Sequence, residues 1–202
     1  MPPHLSIASP SPSPSLVLAS TSPRRLELLA RIGIVPARLA APDIDEDALP
    51  GEAPRPYVLR IATAKAHAVD RAAGEVMLAG DTTVAVGRRI LGKPADEADL
   101  RRMLGLLSGR RHHCLSAVCV IDAAGKARTR LSDTILAFKP LSAVEIEAYV
   151  ASGEGMGKAG GYAIQGRAEA WVRMLSGSHS GVVGLPLFET RALLSSAGIP
   201  LA

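Results

Sequence analysis

Aromatic residues are scarce in this chain: Phe, Trp and Tyr make up 3% of its 202 residues. Single-stranded nucleic acid is usually held on aromatic stacking platforms, so the scarcity argues against stable nucleic-acid binding. It also leaves the core to Ala, Leu, Val and Ile. Cysteine is rarer still, with only Cys114 and Cys119, five positions apart in a predicted strand. An odd separation places them on opposite faces, which argues against a mutual disulfide and favours a reducing compartment. No apolar run is long enough to span a bilayer. The N-terminal MPPHLSIASPSPSPS lacks the basic start and unbroken apolar stretch of a signal peptide. The protein is therefore expected in the cytoplasm, away from membranes.

Several chemistries also lack their motifs. His112 and His113 are adjacent and point to opposite faces of a strand, and His4, His67 and His179 have no ligand-spaced companion, which argues against zinc. There is no GxSxG element and no CxxC pair. GMGKAGGYAIQG is not a P-loop, because Lys158 is followed by Ala159 where the motif needs Ser or Thr. Water is thus the expected nucleophile for any hydrolysis.

What is present is a positive charge in scattered pairs. The net charge is +4, and Arg24-Arg25, Arg88-Arg89, Arg101-Arg102 and Arg110-Arg111 are spread along the chain rather than forming one basic tract. Such spacing suits a small polyanion better than a polymer. Residues 1–15 read as a Pro/Ser-rich disordered tail and 16–202 as one domain. Strands are predicted at Leu16–Ala19 and Val76–Val86, with a hairpin from His113–Ile121 to Ala127–Phe138 and a further strand-like piece at Tyr162–Gln165. Helices are predicted after Ser22, over Tyr57–Ala72, Asp96–Leu107 and Ser142–Ala151, and from Pro186 to Ala197. Helices and strands interleave while hairpins break the βαβ rhythm, so a mixed sheet in an α/β protein is expected.

Several residues break local rules. Arg24 and Arg25 follow Ser22-Pro23 and fall in the first turn of a helix, already its electropositive end, which calls for an anion unless they turn to solvent or pair with Glu27 or an acidic loop residue. Lys65 lies in the apolar stripe of the second helix, where a lysine either snorkels or serves a site. Asp81 interrupts a strand that is apolar on both faces, and a buried carboxylate needs a cation, a metal or a catalytic task. A structural pair with Lys65 or Lys93 would satisfy it as well. Lys93 is fixed on the tight turn Gly92-Lys93-Pro94, and Gln165 could read a base edge through its amide.

In this order, STSPRR, the acidic loop around Asp43–Asp47, the lysine-bearing helix, GDTTVAV, LGKP, LSG and GKAGGYAIQG make the chain resemble the Maf family of nucleoside triphosphate pyrophosphatases, from about Leu16 to Gly198. The resemblance implies a mixed elongated sheet with flanking helices and two lobes around a cleft, akin to inosine triphosphate pyrophosphatases. It implies cleavage of a nucleotide substrate between its α and β phosphates with a divalent cation, Mg²⁺ or Mn²⁺. On the family's pattern Asp81 is the proton acceptor, and Ser20, Arg24 and Arg25 form the phosphate-binding signature. Glu46 is the acidic-loop glutamate, placed with Asp81 near the metal, and Lys65 and Lys93 are the site lysines. Arg24, Thr82 and Gln165 match positions associated with base selection. GKAGGYAIQG resembles the branch acting on dTTP and UTP, whereas the branch acting on 7-methyl-GTP carries a Ser/Glu-containing segment there. The family's association with arrest of septum formation leaves a nucleotide-binding, division-linked role as an alternative, and the resemblance is compatible with a homodimer.

Overall fold

The computed structural model describes residues 14–200, so the Pro/Ser-rich stretch expected to be a disordered tail lies almost wholly outside the described residues. Seven strands form one mixed sheet: β1 (Ser15–Ala19), β2 (Arg38–Ala40), β3 (Glu75–Val86), β4 (Arg89–Leu91), β5 (Arg111–Ile121), β6 (Ala127–Phe138) and β7 (Val172–Ser176). The order is β2-β1-β3-β5-β6-β7, with β4 also pairing β3. β1 runs parallel to β2 and β3, and every other pairing is antiparallel. Among the described residues six α-helices flank the sheet: α1 (Pro23–Arg31), α2 (Pro54–His67), α3 (Glu97–Leu107), α4 (Ala143–Ser152), α5 (His179–Val183) and α6 (Leu187–Ser196). Among the described residues no helix is long and apolar enough to cross a membrane.

Strand alternation divides the core in two. Val17, Met77, Ala79, Ala117 and Cys119 pack against Val58, Ala62 and Ala66 of α2. Leu18, Leu78, Val118 and Cys114 join Leu28 of α1, Leu104 of α3, Tyr149 of α4 and Leu193 of α6 in the other layer. The two thiols thus lie free and buried on opposite sides of the sheet, as the odd spacing requires.

β3 carries the feature that makes a site. Its pairing with β1 ends at Leu78, and its pairing with β4 begins at Val84. Between them Ala79–Thr83 bond only to β5. The edge of β3 is open there, with β1 and β2 on one side and β4 on the other, and the chain leaving β1 turns at Ser20 directly into α1.

Three expectations are corrected. The second helix spans Pro54–His67, starting earlier and ending sooner than Tyr57–Ala72. Pro54 and Pro56 fit a first turn whose N–H groups need no helical acceptor. Beyond His67, the Asp70 carbonyl accepts from Arg38 Nη2 at 3.0 Å and the Ala72 amide donates to Glu75 at 2.8 Å, so those backbone groups find partners outside the helix. Tyr162–Gln165 is not a strand. The Ala163 amide donates to the Tyr149 hydroxyl at 3.1 Å instead of to a ladder, and the strand of this region is β7. Arg38–Ala40, in the stretch before the acidic loop where no strand is predicted, is a strand through its parallel pairing with β1.

His112 is buried beneath the glycine-rich segment, with Nε2 3.0 Å from the Tyr162 hydroxyl and its ring edge-on to Phe138. Burial pushes its pKa down to about 4 from 6.5. The unfolded chain therefore binds the proton that the folded chain refuses, so stability rises with pH between about 4 and 6.5. Chemical denaturation across this window should show up to about 3 kcal/mol lost on acidification, at ~1.4 kcal/mol per pH unit, and His112→Gln should remove most of that slope.

Candidate active site

A cleft of about 770 Å³ opens at the gap in β3, and Ser20, Arg24, Arg25, Glu46, Lys65, Asp81, Thr82, Lys93 and Gln165 all line it. Successive residues of β3 point to opposite faces, which sends Asp81 toward α2 and Thr82 toward α1 and α5. Lys65 projects from α2 at the open edge. Its ammonium lies 2.8 Å from Asp81 Oδ1 and 2.9 Å from Glu46 Oε2. It does not snorkel: Lys65 and Asp81 are each 6% exposed.

The acidic loop is held onto α2 by two side chains. The Tyr57 hydroxyl donates to the Glu46 carbonyl at 2.9 Å, and Arg60 donates to the Asp47 carbonyl at 3.0 Å while paired with Glu52. Tyr57 lies two helical turns before Lys65 on the same face, an i, i+4, i+8 relation readable in the sequence. Burial, with the charges of Asp81 and Glu46 added, pushes its phenol up to about 12, so it remains a donor.

Arg25 turns inward. Its Nε donates to the Gly184 carbonyl at 2.9 Å and its Nη1 to Ser20 Oγ at 3.1 Å, while Ser20 Oγ also accepts from the Ser22 amide. Gly80 beside it packs closely on β5: a Cβ there would stand 3.2 Å from the Ala117 carbonyl oxygen, tighter than most such contacts. Thr82 Oγ1 lies 2.9 Å from Ser116 Oγ and donates weakly to the same Gly184 carbonyl at 3.4 Å. Arg24 has no carboxylate partner among the described residues, and its Nε is buried without an acceptor. None of the sequence alternatives for the arginine pair, solvent, Glu27 or an acidic loop residue, describes Arg25, which bonds to Gly184 and Ser20.

Lys93 is exposed on its turn at the rim of the cleft. Gln165 stands on a turn rather than a strand, also exposed and also lining the cleft. The segment carrying it docks tightly. The Gly160 amide donates to the Gly92 carbonyl at 2.9 Å. Gly160 has φ +69°, and any Cβ there would come within 2.7 Å of Val84. Lys158 and the Gly184 carbonyl are cleft groups the sequence reading passed over. Lys158 was visible as a lysine among glycines, since failure of the P-loop spacing says nothing about the lysine itself. Gly184 carries no signal.

Burial raises the Asp81 pKa from its ordinary value, opposed by Lys65 and Arg25. The structure therefore contains the ion pair that was the simpler reading of Asp81, but at the floor of an open cleft. Among the described residues no group of three or more His, Cys, Asp or Glu is assembled to hold a metal. Asp81 and Glu46 do converge on one point, now filled by the Lys65 ammonium. Two carboxylates with phosphate oxygens completing the shell is a donor set suited to Mg²⁺.

The family described as Maf-like protein matches residues 15–197. The chain belongs to the Maf family. A dTTP/UTP pyrophosphatase of Sphingopyxis alaskensis is 78% identical over 188 residues, 93% of this Maf chain and 99% of the relative. Proteins of the same description from Novosphingobium aromaticivorans and Zymomonas mobilis are 60% and 56% identical, covering 95% and 93% of this chain and 96% and 94% of their own. A solved nucleoside-triphosphatase / dITP/XTP pyrophosphatase from Mycobacterium abscessus aligns over 91% of the Maf chain and 94% of its own at 17% identity, with a TM-score of 0.45, a likeness too weak to carry inference.

Proposed function

We propose that this Maf protein hydrolyses dTTP and UTP to the monophosphate and pyrophosphate, clearing nucleotide pools in the cytoplasm. The reading is carried by Asp81, a buried carboxylate at the floor of a cleft whose other walls hold Arg24, Arg25 and Lys93. The description shared by relatives up to 78% identical supports the substrate. A pure polyanion binder gains nothing from a carboxylate beside phosphate unless a metal intervenes.

In this mechanism Asp81 orients a water and takes its proton as the oxygen attacks phosphorus. The α–β bridging oxygen leaves with its electron pair as pyrophosphate. Burial raises the Asp81 pKa and makes it a better base, and Lys65 beside it favours the ionised form. Arg24, Arg25 and Lys93 neutralise charge building on the leaving group. Asp81 and Glu46 would hold Mg²⁺ or Mn²⁺ with substrate phosphates, and the ion would supply further charge neutralisation. Ser20 orients Arg25, and Thr82 and Gln165 face the base as the selecting groups.

Pyrophosphate release across canonical and modified nucleotides, with Mg²⁺ and with Mn²⁺, should favour dTTP and UTP over purine nucleotides by more than about tenfold in kcat/KM. Preference for 7-methyl-GTP or another purine would reject the substrate. Binding of dTTP without pyrophosphate release under either metal would reject the enzyme.

A further inference from the structure

Of the cations around the cleft, Lys65 is clamped by two carboxylates, and Arg25 is committed to Ser20 and Gly184. Lys158 is committed to nothing comparable. Among the described residues its ammonium makes one hydrogen bond, to the Met156 carbonyl at 3.5 Å, the outer limit for such a contact. Among the described residues no carboxylate lies within ion-pair distance of it. Glu154, on the same segment, is taken by Arg167 through the guanidinium at 3.3 Å and the backbone amide at 2.9 Å.

Lys158 is also not free to swing as a surface lysine does. It is half-buried, and its backbone is fixed on both sides: its amide donates to the Gly155 carbonyl at 3.3 Å and its carbonyl accepts from Gly161 at 3.0 Å. The docking of Gly160 on Val84 and on the Gly92 carbonyl anchors the segment against β3 and the Lys93 turn. Arg24 comes to the same cleft from the start of α1, with Nε buried and unpartnered. Burial first and the charge of Arg24 second depress the Lys158 ammonium, with the more distant Glu154 carboxylate opposing them. Two partly buried cations lining one cleft, neither within ion-pair distance of a carboxylate among the described residues, carry a free-energy penalty that an anion between them reduces.

We propose that Lys158 contacts the substrate, closing with Arg24 on one phosphate group of the bound nucleotide. The proposal rests on the nucleotide reading of the cleft and adds to it a ligand-binding side chain. The glycine-rich segment then carries both a phosphate contact, Lys158, and the amide of Gln165, so that engagement of the phosphate chain and of the base is coupled through one rigid piece of backbone.

The test compares Lys158→Met and Lys158→Arg with Lys126→Met, which removes the same charge from the exposed β5–β6 turn. KM and kcat are measured with dTTP, and binding of inorganic pyrophosphate, which needs no turnover, is followed by calorimetry. Lys158→Met should raise KM and weaken pyrophosphate binding about 10- to 100-fold, the range for losing one charge-assisted hydrogen bond. Lys158→Arg should restore most of this, and Lys126→Met should match wild type. A Lys158→Met protein within twofold of wild type in both readouts overturns the proposal while leaving the nucleotide reading intact. A wild-type protein that hydrolyses no nucleotide overturns that reading instead, and pyrophosphate titration still decides whether Lys158 holds phosphate.

Discussion

Asp81→Asn should lower kcat for dTTP by about 10²- to 10⁴-fold, the range associated with a positioned general base, while leaving the protein folded. The asparagine fills the same volume at the gap in β3 but cannot take a proton from water. Its effect on stability is small because two changes oppose each other. Burial of a carboxylate charge is no longer required, and the Lys65 ammonium loses one of its two acidic partners while keeping Glu46 at 2.9 Å. Steady-state pyrophosphate release together with urea unfolding separates chemistry from folding. Turnover within tenfold of wild type would remove Asp81 from the reaction.

Lys65→Met should destabilise the fold more than Asp81→Asn, and its signature differs. Methionine fits the apolar stripe of α2, so packing survives, but Asp81 is left buried without its closest cation. Breaking one side of a buried pair costs on the order of 3–5 kcal/mol, which Asp81 limits by taking up a proton. A loss of about 3 kcal/mol corresponds to a fall in Tm of roughly 6–12 °C for a chain of this size. The direction of the activity change follows from the same pair. Burial already raises the Asp81 pKa and Lys65 opposes it, so without Lys65 it rises further. The protonated form cannot act as base, hence the activity limb that climbs with pH should move to more alkaline values. A pH–rate profile checks it, and an unshifted limb with normal stability would mean the pair is not coupled as described.

Much of this site was legible because it broke rules locally. Asp81 stood out against a strand buried on both faces, Lys65 against an apolar helical stripe, and Arg24 and Arg25 against the polarity of a helix start. Each anomaly needs only its own neighbours to be noticed. What the sequence did not show depends on pairing between distant segments. Arg38–Ala40 is a strand through β1, so its composition gives little sign of it. Tyr162–Gln165 has strand-forming side chains, yet Tyr162 is engaged by His112 and the Ala163 amide by Tyr149, contacts across 50 and 14 positions. The opposite roles of Arg24 and Arg25, one unpartnered and one turned onto Gly184, also depend on a residue far along the chain. The simpler reading of Asp81 as a structural ion pair and the functional one were never exclusive, since the pair itself sits in the cleft.

The open edge of β3 also sets a limit on chain length. Side chains alternate with period two, so deleting one residue between Leu78 and Asp81, with β5 holding its register, would turn Thr82 toward Lys65 and leave the ammonium facing a hydroxyl. An insertion or deletion in the middle of this strand therefore changes which side chain meets Lys65, whereas one in the exposed turn between β5 and β6 chooses no side.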